Sequence, residues 1–440
     1  MSALQQYLDL FAAQRAAIEA HSPAALNARR AAALDRLQTR GLPGRGDERY
    51  KYVDVEAAFA PDYGVNVLRR PLVSGAERAF RCALPGLSAE TVYVLGDVVS
   101  LDAPRATEEG LRLSRIGAEN DGFIGENGAL SPFDDGIRAL GALLCQDGLV
   151  VDVAEDAEIA TPVQIVGVSA AAGDVLSSRR LVVRCGSGSR LTLLLCNHSD
   201  GRHKYLNIQE VEVVAGRGAR IDLVNMQEGR AGTTDFVHYD IVGRAESRVT
   251  LVDVNLSGGN VRTTADVRLT GEGAAVLTAG AVVAGGEQRA GTDVLVRHEA
   301  CACSSEMLHK QVLGGRSAGA FAGRVYVAPG AQQTVGAQRS ASLLISPEAR
   351  AYSQPMLEIY ADDVRCNHGS TTGKLDETAL FYMRQRGIEE AEARLLLQHA
   401  FVSEVLRHIE IEPLRQRVEA LVDQRFRGVD GRCGACSLCH

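Results

Sequence analysis

The chain has no tryptophan, and aromatic residues of all kinds make up 5 % of it. A sugar-binding face built from stacked aromatic rings therefore has little to work with. Lysine is almost missing as well: Lys51, Lys204, Lys310 and Lys374 are the four among 47 basic residues. Such an arginine bias follows genome composition, so a lone arginine says little about function and each lysine says slightly more. Positive charge is not in excess. The net charge is −8 and no basic stripe interleaves with aromatics, so nucleic acid is not an expected partner. No apolar run reaches the ~18 residues that a membrane span needs, and no membrane partner is expected. The opening Met1-Ser-Ala-Leu-Gln-Gln-Tyr-Leu-Asp-Leu lacks the basic region and apolar run of a secretory signal, so the expected compartment is the cytoplasm. Neither G-x-x-x-x-G-K-[ST] nor G-x-G-x-x-G before a helix occurs, so any ATP has to be handled by another chain.

The 440 residues, 46 % hydrophobic and 23 % charged, suit a globular chain of two or three units. Ten cysteines are present. A reducing cytosol keeps them as thiols, ligands or nucleophiles rather than disulfides. Cys82, Cys145, Cys185 and Cys196 sit in apolar runs and read as small buried hydrophobes.

Three kinds of text follow one another. Up to about residue 40 the apolar residues Leu4, Tyr7, Leu8 and Phe11 recur at helical spacing, and Gly41-Leu-Pro-Gly breaks the pattern. From about 150 short apolar runs alternate with Gly-rich and polar turns, as half-buried strands do. A repeat runs through them. Gly188-Ser-Arg-Leu-Thr-Leu, Gly218-Ala-Arg-Ile-Asp-Leu, Glu246-Ser-Arg-Val-Thr-Leu and Gly273-Ala-Ala-Val-Leu-Thr start at intervals of 30, 28 and 27. Gly330-Ala-Gln-Gln-Thr-Val and Pro347-Glu-Ala-Arg-Ala-Tyr follow at a shorter spacing of 17. A fixed step of this size suits a β-solenoid, with a β-sandwich as the competing architecture. After 375 the text is helical again. The expected division is a helical and mixed region over 1–150, a solenoid core over 151–375, a helical region over 376–427 and a Cys-rich tail over 428–440. A solenoid end is a row of unpaired backbone groups, and the terminal helices are the expected covers for both ends.

One segment is long and ordered. Pro355-Met-Leu-Glu-Ile-Tyr-Ala-Asp-Asp-Val364 leads into Cys366-Asn-His368-Gly369, then Gly373-Lys-Leu-Asp376, then Leu380-Phe381-Tyr382-Met-Arg-Gln-Arg386-Gly387-Ile388. It resembles the signature of the SufB/SufD family, P-x-L-E-I-x-A-x-D-V, C-x-H-G, G-x-L-D and L-F-Y-x-x-x-R-G-I. Upstream, Leu308-His-Lys310, Phe321-Ala-Gly-Arg-Val325, Gln333-Thr334 and Leu343-Leu-Ile-Ser346 keep the family's order. Near the front, Glu48-Arg-Tyr-Lys51-Tyr52 is similar to the family's E-x-W-K-Y, with Tyr50 in place of Trp. The C-x-H-G form at 366–369 is that of the SufD branch. The resemblance implies a mainly β fold, a right-handed parallel β-helix core flanked by helices at both termini. It also implies an iron–sulfur cluster assembly scaffold without its own enzyme chemistry, paired with a SufB homologue through the core and with a SufC ATPase. A homodimer is the alternative for the isolated chain. Some complexes of the family bind reduced flavin, but no residue here assigns such a site. The rival class is a solenoid enzyme or a carbohydrate-binding β-helix protein, which needs paired carboxylates or an aromatic stripe on one face.

Three clusters carry candidate chemistry. Cys366 and His368 stand two apart on a strand, so their side chains share a face. A soft thiolate beside an imidazole suits iron or zinc, and two ligands require others from elsewhere, most simply a partner chain. The resemblance implies that the partner is SufB and that the cargo is iron or a nascent iron–sulfur cluster, held transiently at the interface. His298-Glu-Ala-Cys301-Ala-Cys303, with His309 nearby, is the second cluster; its plain reading is small residues on a solenoid coil. The third is Cys433-Gly-Ala-Cys436-Ser-Leu-Cys439-His440, a metal-ligand spacing at a terminus. For partner binding, the apolar positions Phe381, Leu395, Leu396, Phe401 and Val405 recur at three- and four-residue spacing. They exceed what one helical cap needs, and the resemblance implies SufC as their partner.

The tail follows the last amphipathic stretch and has no apolar text after it. Truncation after Gly431 is expected to leave the melting temperature nearly unchanged in metal-free buffer. A large drop would show that Cys433, Cys436 and Cys439 belong to a structural metal site.

Overall fold

Parallel strands that alternate between two sheets wind the middle of the chain into a β-solenoid. The computed structural model describes residues 3–70, 87–117 and 135–428. From Leu149–Val153 to Val364–Gly373 each strand pairs in parallel with the strand two places along the chain, giving eight coils among the described residues. One sheet ends on Arg350–Ile359 and the other on Val364–Gly373.

The repeat is a register. Arg190 lies beside Arg220, Arg220 beside Arg248 and Arg248 beside Ala275, which reproduces the intervals of 30, 28 and 27. The first residue of each unit is the turn residue with a left-handed backbone: Gly188 (φ 70°), Gly218 (φ 68°), Glu246 (φ 60°) and Gly273 (φ 71°). Each N–H here bonds to the carbonyl of the next coil's turn, as Gly218 does to Ala245 and Glu246 to Glu272, both at 2.8 Å. The column continues at Ala302 (φ 55°) and Gln333 (φ 60°), where no glycine marks it. The spacing of 17 is of another kind. Thr334–Leu344 and Arg350–Ile359 belong to opposite sheets, so this step crosses the solenoid instead of climbing one coil.

Side chains alternate. Those pointing inward, among them Leu193, Leu223, Ile241, Val267, Val296 and Phe321, fill the interior. Over much of each sheet the outward-pointing side chains are covered by helices, one group on each of the two outer faces. Helices α1 (Ala3–Ala20), α2 (Ala24–Arg40), α3 (Val55–Phe59) and α4 (Gly136–Leu144) share a core with Leu176, Leu206, Ile208 and Phe236 on the first sheet. Gly41 (φ 68°) ends α2, at the break the sequence marks. Helices α5 (Glu377–Gln385), α6 (Glu390–Leu406) and α7 (Glu412–Phe426) follow the last coil, and the latter two pack on the second sheet. There Val402, Val405, Leu406, Leu414, Val418 and Leu421 meet Val224, Val252, Ala281 and Leu308.

The ends are not closed as expected. At the first end the cover is strand, not helix: Leu111–Arg115 pairs antiparallel with Leu149–Val153, and Glu90–Leu95 pairs with Val163–Ser169. At the second end neither terminal strand has a neighbour on its outer side among the described residues. The C-terminal helices turn back along the sheet because their apolar stripe finds a continuous apolar face there, which a strand edge does not offer.

Between the first sheet and its helices lies a network of buried charges. Arg138 donates to Glu210 at 2.8 Å, Arg180 pairs with Glu212, and Arg49 donates to Asp266 and Asp293 at 3.0 Å each. Burial opposes the charge on Glu210 and Asp266, yet Arg138 and Arg49 hold these carboxyls at about 2. Burial and Arg138 push the His238 imidazole down to about 3, so it is neutral. The carboxylates of Glu210 and Asp266 stabilise the fold in full above the ordinary carboxylate range, a contribution lost as pH falls through about 2. Arg49→Ala leaves Asp266 without its nearest cation and Asp293 with only the more distant Arg262 at 3.7 Å, and is expected to cost about 3–5 kcal/mol. Adding Asp266→Asn and Asp293→Asn to that variant should recover part of the loss, because no uncompensated charge remains. Urea unfolding midpoints decide it.

Candidate functional site

The open end of the solenoid holds the sequence's first candidate pair. In Val364–Gly373 the even-numbered side chains face inward, and Val364 and Cys366 pack against the interior cluster. Cys366 lies beside Gly336 and His368 beside Gln338 in the neighbouring coil. A Cβ on Gly336 would come within 3.2 Å of the Cys366 sulfur, so the missing side chain makes room for the thiol. Cys366 is half-buried and burial pushes its thiol up, so it stays protonated until a metal or a base takes the proton. His368 is exposed and has no hydrogen-bond partner among the described residues. Below the pair, Gln338 crosses the interior and donates to the Met356 carbonyl at 2.9 Å, tying the two sheets together under the last coil. Its Oε1 is buried without a partner.

The pair therefore sits at a mouth framed by two strand edges, each ten residues long. Natural edges are blunted by lysine, inward charge or proline. Val364–Gly373 carries only Arg365 as a charge and no proline. Arg350–Ile359 carries Pro355, which an edge tolerates because no ladder bond is lost on the open side. Ile359 and Tyr360 are exposed beside it, with Tyr360 against Tyr326.

The second cluster does not assemble. His298 is buried with Nε2 2.8 Å from the Ser305 hydroxyl, Cys303 is buried with its thiol on the Gly271 carbonyl, and Cys301 is exposed. His309 stacks on Phe321, centroids 4.7 Å apart. Burial pushes both imidazoles down to about 4, so they are neutral core residues. Among the described residues no three His, Cys, Asp or Glu side chains converge on a metal-sized space. Cys145, Cys185 and Cys196 are buried, as their apolar surroundings predict. Cys82 and the tail residues Cys433, Cys436 and Cys439 lie outside the described residues. One letter pattern escaped the sequence reading: Gly315-Arg-Ser317-Ala-Gly319 spells a nucleophile elbow. The structure has it entering the strand Ala318–Val327 with no helix after it, and Ser317 is fully buried.

The helical candidates divide. Val405 is buried against the second sheet, and so serves the chain's own packing. Leu395 and Phe401 are half-buried; Lys310 lies over the Phe401 ring at 4.6 Å and pairs with Glu404. Phe381 (61 % exposed) and Leu396 (43 %) face out, joined by Tyr382 (59 %), which the spacing argument passed over. Asp376 caps α5 by accepting from the Thr378 and Ala379 N–H groups, and Leu380 alone of that helix is buried. The cap and this one anchor present two neighbouring aromatic rings to solvent.

Comparison with known proteins gives these surfaces a context. A family model described as "SUF system FeS cluster assembly, SufBD core domain" matches residues 168–401, and one described as "SufBD protein N-terminal region" matches 1–165. The iron–sulfur cluster assembly protein SufD of Escherichia coli is 31 % identical over 193 residues, 44 % of this chain and 46 % of that protein, under half its length. SufD of Bacillus subtilis is 25 % identical over 294 residues, 66 % of this chain and 67 % of that one. A SufBD family iron–sulfur cluster assembly protein of Mycobacterium tuberculosis is 27 % identical over 402 residues, 88 % of this chain and 94 % of its own. With one match over most of the solenoid and α6, and the other over the region before it, the chain belongs to the SufBD family of iron–sulfur cluster assembly proteins.

Proposed function

We propose that this chain is a non-enzymatic, cytoplasmic scaffold that pairs through its open solenoid end with a SufB homologue and docks a SufC-type ATPase on its C-terminal helices. The observation that carries the reading is the mouth itself: two open strand edges around Cys366 and His368, of which Val364–Gly373 carries neither proline nor any charge besides Arg365. A partner strand laid on either edge satisfies its free N–H and C=O groups, which is the physics of strand addition. The same event brings the partner's side chains over the mouth. Iron or a nascent cluster is the cargo there, not a resident cofactor. His368 offers a borderline imidazole and Cys366 a soft sulfur, once its proton is lost, and the partner supplies the remaining ligands. Site formation is then conditional on pairing. A second copy of this chain can present the same edges, so a homodimer is the state to look for when SufB is missing.

For the ATPase, Phe381, Tyr382 and Leu396 form the exposed apolar surface, with Leu395 and Phe401 at its half-buried margin. A soluble chain exposes neighbouring aromatics of this size mainly where a partner covers them. α5 leaves the last coil directly, three residues after the strand that bears His368. Motion imposed on α5 by nucleotide-driven closure of the ATPase reaches the mouth through this short connection.

His368→Ala is expected to leave the melting temperature within about 2 °C, since an exposed side chain without a partner contributes little to stability. In the complex co-purified with the SufB homologue the same change should lower iron and sulfide content several-fold. An unchanged cluster content, or a lost fold, would remove His368 from the site. Phe381→Ala with Tyr382→Ala should weaken binding of the SufC homologue at least tenfold in calorimetry, with the melting temperature unchanged. Undiminished affinity would remove α5 from the docking surface.

A further inference from the structure

Glu48-Arg49-Tyr50-Lys51-Tyr52, one of the motifs behind the family resemblance, plays no part in the site described above. It crosses the outer face of the first sheet over its last four strands. Arg49 reaches Asp266 and Asp293, on Asn260–Leu269 and Arg289–His298. Glu48 accepts from Arg324 at 3.3 Å, on Ala318–Val327, and from Gln354 at 2.8 Å, on the terminal strand Arg350–Ile359. Tyr52 stacks on Tyr352 of that strand, ring centroids 4.4 Å apart and planes 17° from parallel. Tyr50 is buried, bonds to Asp135 at the start of α4, and carries the Arg262 guanidinium over its ring at 5.5 Å. Five residues thus tie the terminal strand to anchoring carboxylates two and three strands further in.

The two terminal strands differ in the way this predicts. Arg350–Ile359 is half-buried along eight of its ten residues, whereas Val364–Gly373 is exposed along eight of ten. An edge strand is held by a ladder on one side only and frays at little cost. A strand that has to receive a partner's strand in one register loses affinity with every conformation it samples besides the competent one.

We propose that the segment Glu48–Tyr52 is a strap that holds the terminal strand Arg350–Ile359 in its pairing-competent position, with Arg49 as the anchor and Glu48 and Tyr52 as the two contacts on the strand. The proposal rests on the pairing role of the open end. Glu48 and Tyr52 are positioning residues: their effect on the partner passes through Gln354, Arg324 and Tyr352.

The test uses the full chain and its SufB homologue, with association read by calorimetry and backbone order by hydrogen exchange. Tyr52→Ala and Glu48→Arg should each speed exchange in 350–359 while leaving 205–215 unchanged, and should weaken association by about tenfold, with melting temperatures within about 2 °C. Tyr52→Phe keeps the stacked ring and should behave as wild type. Glu48→Gln keeps an acceptor for Gln354 and leaves the Arg324–Glu358 pair intact, and should lose clearly less than Glu48→Arg. Exchange and affinity unchanged in both single variants would overturn the strap. A control addresses the pairing role separately. Ser370→Asp with Thr372→Asp places two carboxylates at exposed positions of the other edge and should abolish association. If that variant still associates as wild type, the open end is not the pairing surface and the strap proposal falls with it. If it fails to associate while the strap variants behave as wild type, only the strap is wrong.

Discussion

A parallel solenoid cannot close on itself, and how its two ends are treated decides what the rest of the molecule can do. Each coil satisfies the backbone of the one before, so only the first and last coils are left with free N–H and C=O groups. This chain spends residues 90–115 closing its first end with strands of its own. Among the described residues none forms a strand over the last end. The asymmetry is costly if the chain works alone, since a bare edge invites uncontrolled pairing. It is economical if the missing coil comes from another protein. The helices sharpen the contrast. Both outer faces are covered, by α1–α4 on one sheet and α6 and α7 on the other, so the end is the main backbone surface left open.

The solenoid was legible in the sequence because its turns demand a left-handed residue once per coil. Gly188, Gly218 and Gly273 meet that demand without a Cβ penalty, and the step between them gave the coil length. The reading broke off after Gly273 for a physical reason. At Ala302 and Gln333 the inter-coil hydrogen bonds, to the Gln332 and Asp363 carbonyls, hold ordinary residues at φ near 60°. Geometry was kept while the letter changed, so the repeat vanished from the text but not from the fold. The treatment of the ends was misread for a related reason. Apolar periodicity shows that a helix has a face to bury, but not what lies beneath it, and Val402, Val405 and Val418 found the second sheet rather than the open end.

The buried charges were beyond the reach of pattern reading. Arg180, Glu210, Glu212, Asp240 and Asp266 occupy the outward positions of their strands, where alternation looks the same as a solvated face. Only the fold shows that helices cover them. Candidate ligands were legible to different depths. Cys366 and His368 share a face, as a two-residue spacing on a strand requires. His298, Cys303 and His309 also share short spacings, yet each turned out to be paired or stacked inside the core. Spacing reports which side chains point together. It does not report whether they point at open space or at neighbours, and it is this difference that separates the two clusters.

The placement of Cys366 and His368 has a consequence for control. Buried inside a coil, the two would meet metal at any time and would hold it with whatever geometry the interior allowed. At the mouth they are incomplete ligands, one a half-buried thiol raised by burial and the other an exposed ring. Two protein donors bind a labile metal weakly, and a protonated thiol binds it more weakly still. On the proposed reading the lone scaffold would therefore hold iron only weakly. In the proposed complex, pairing would change three things at once: it would add ligands, remove water from the mouth, and fix the strand that carries both residues. A site divided between two chains can also be opened by parting them, so whatever drives the chains apart controls release. The ATPase surface proposed on α5 is joined to the His368 strand by the residues 374–376, one of which caps that helix. On the proposed reading, a helix start so close to the edge offers a short mechanical path from a nucleotide-driven movement to the cargo.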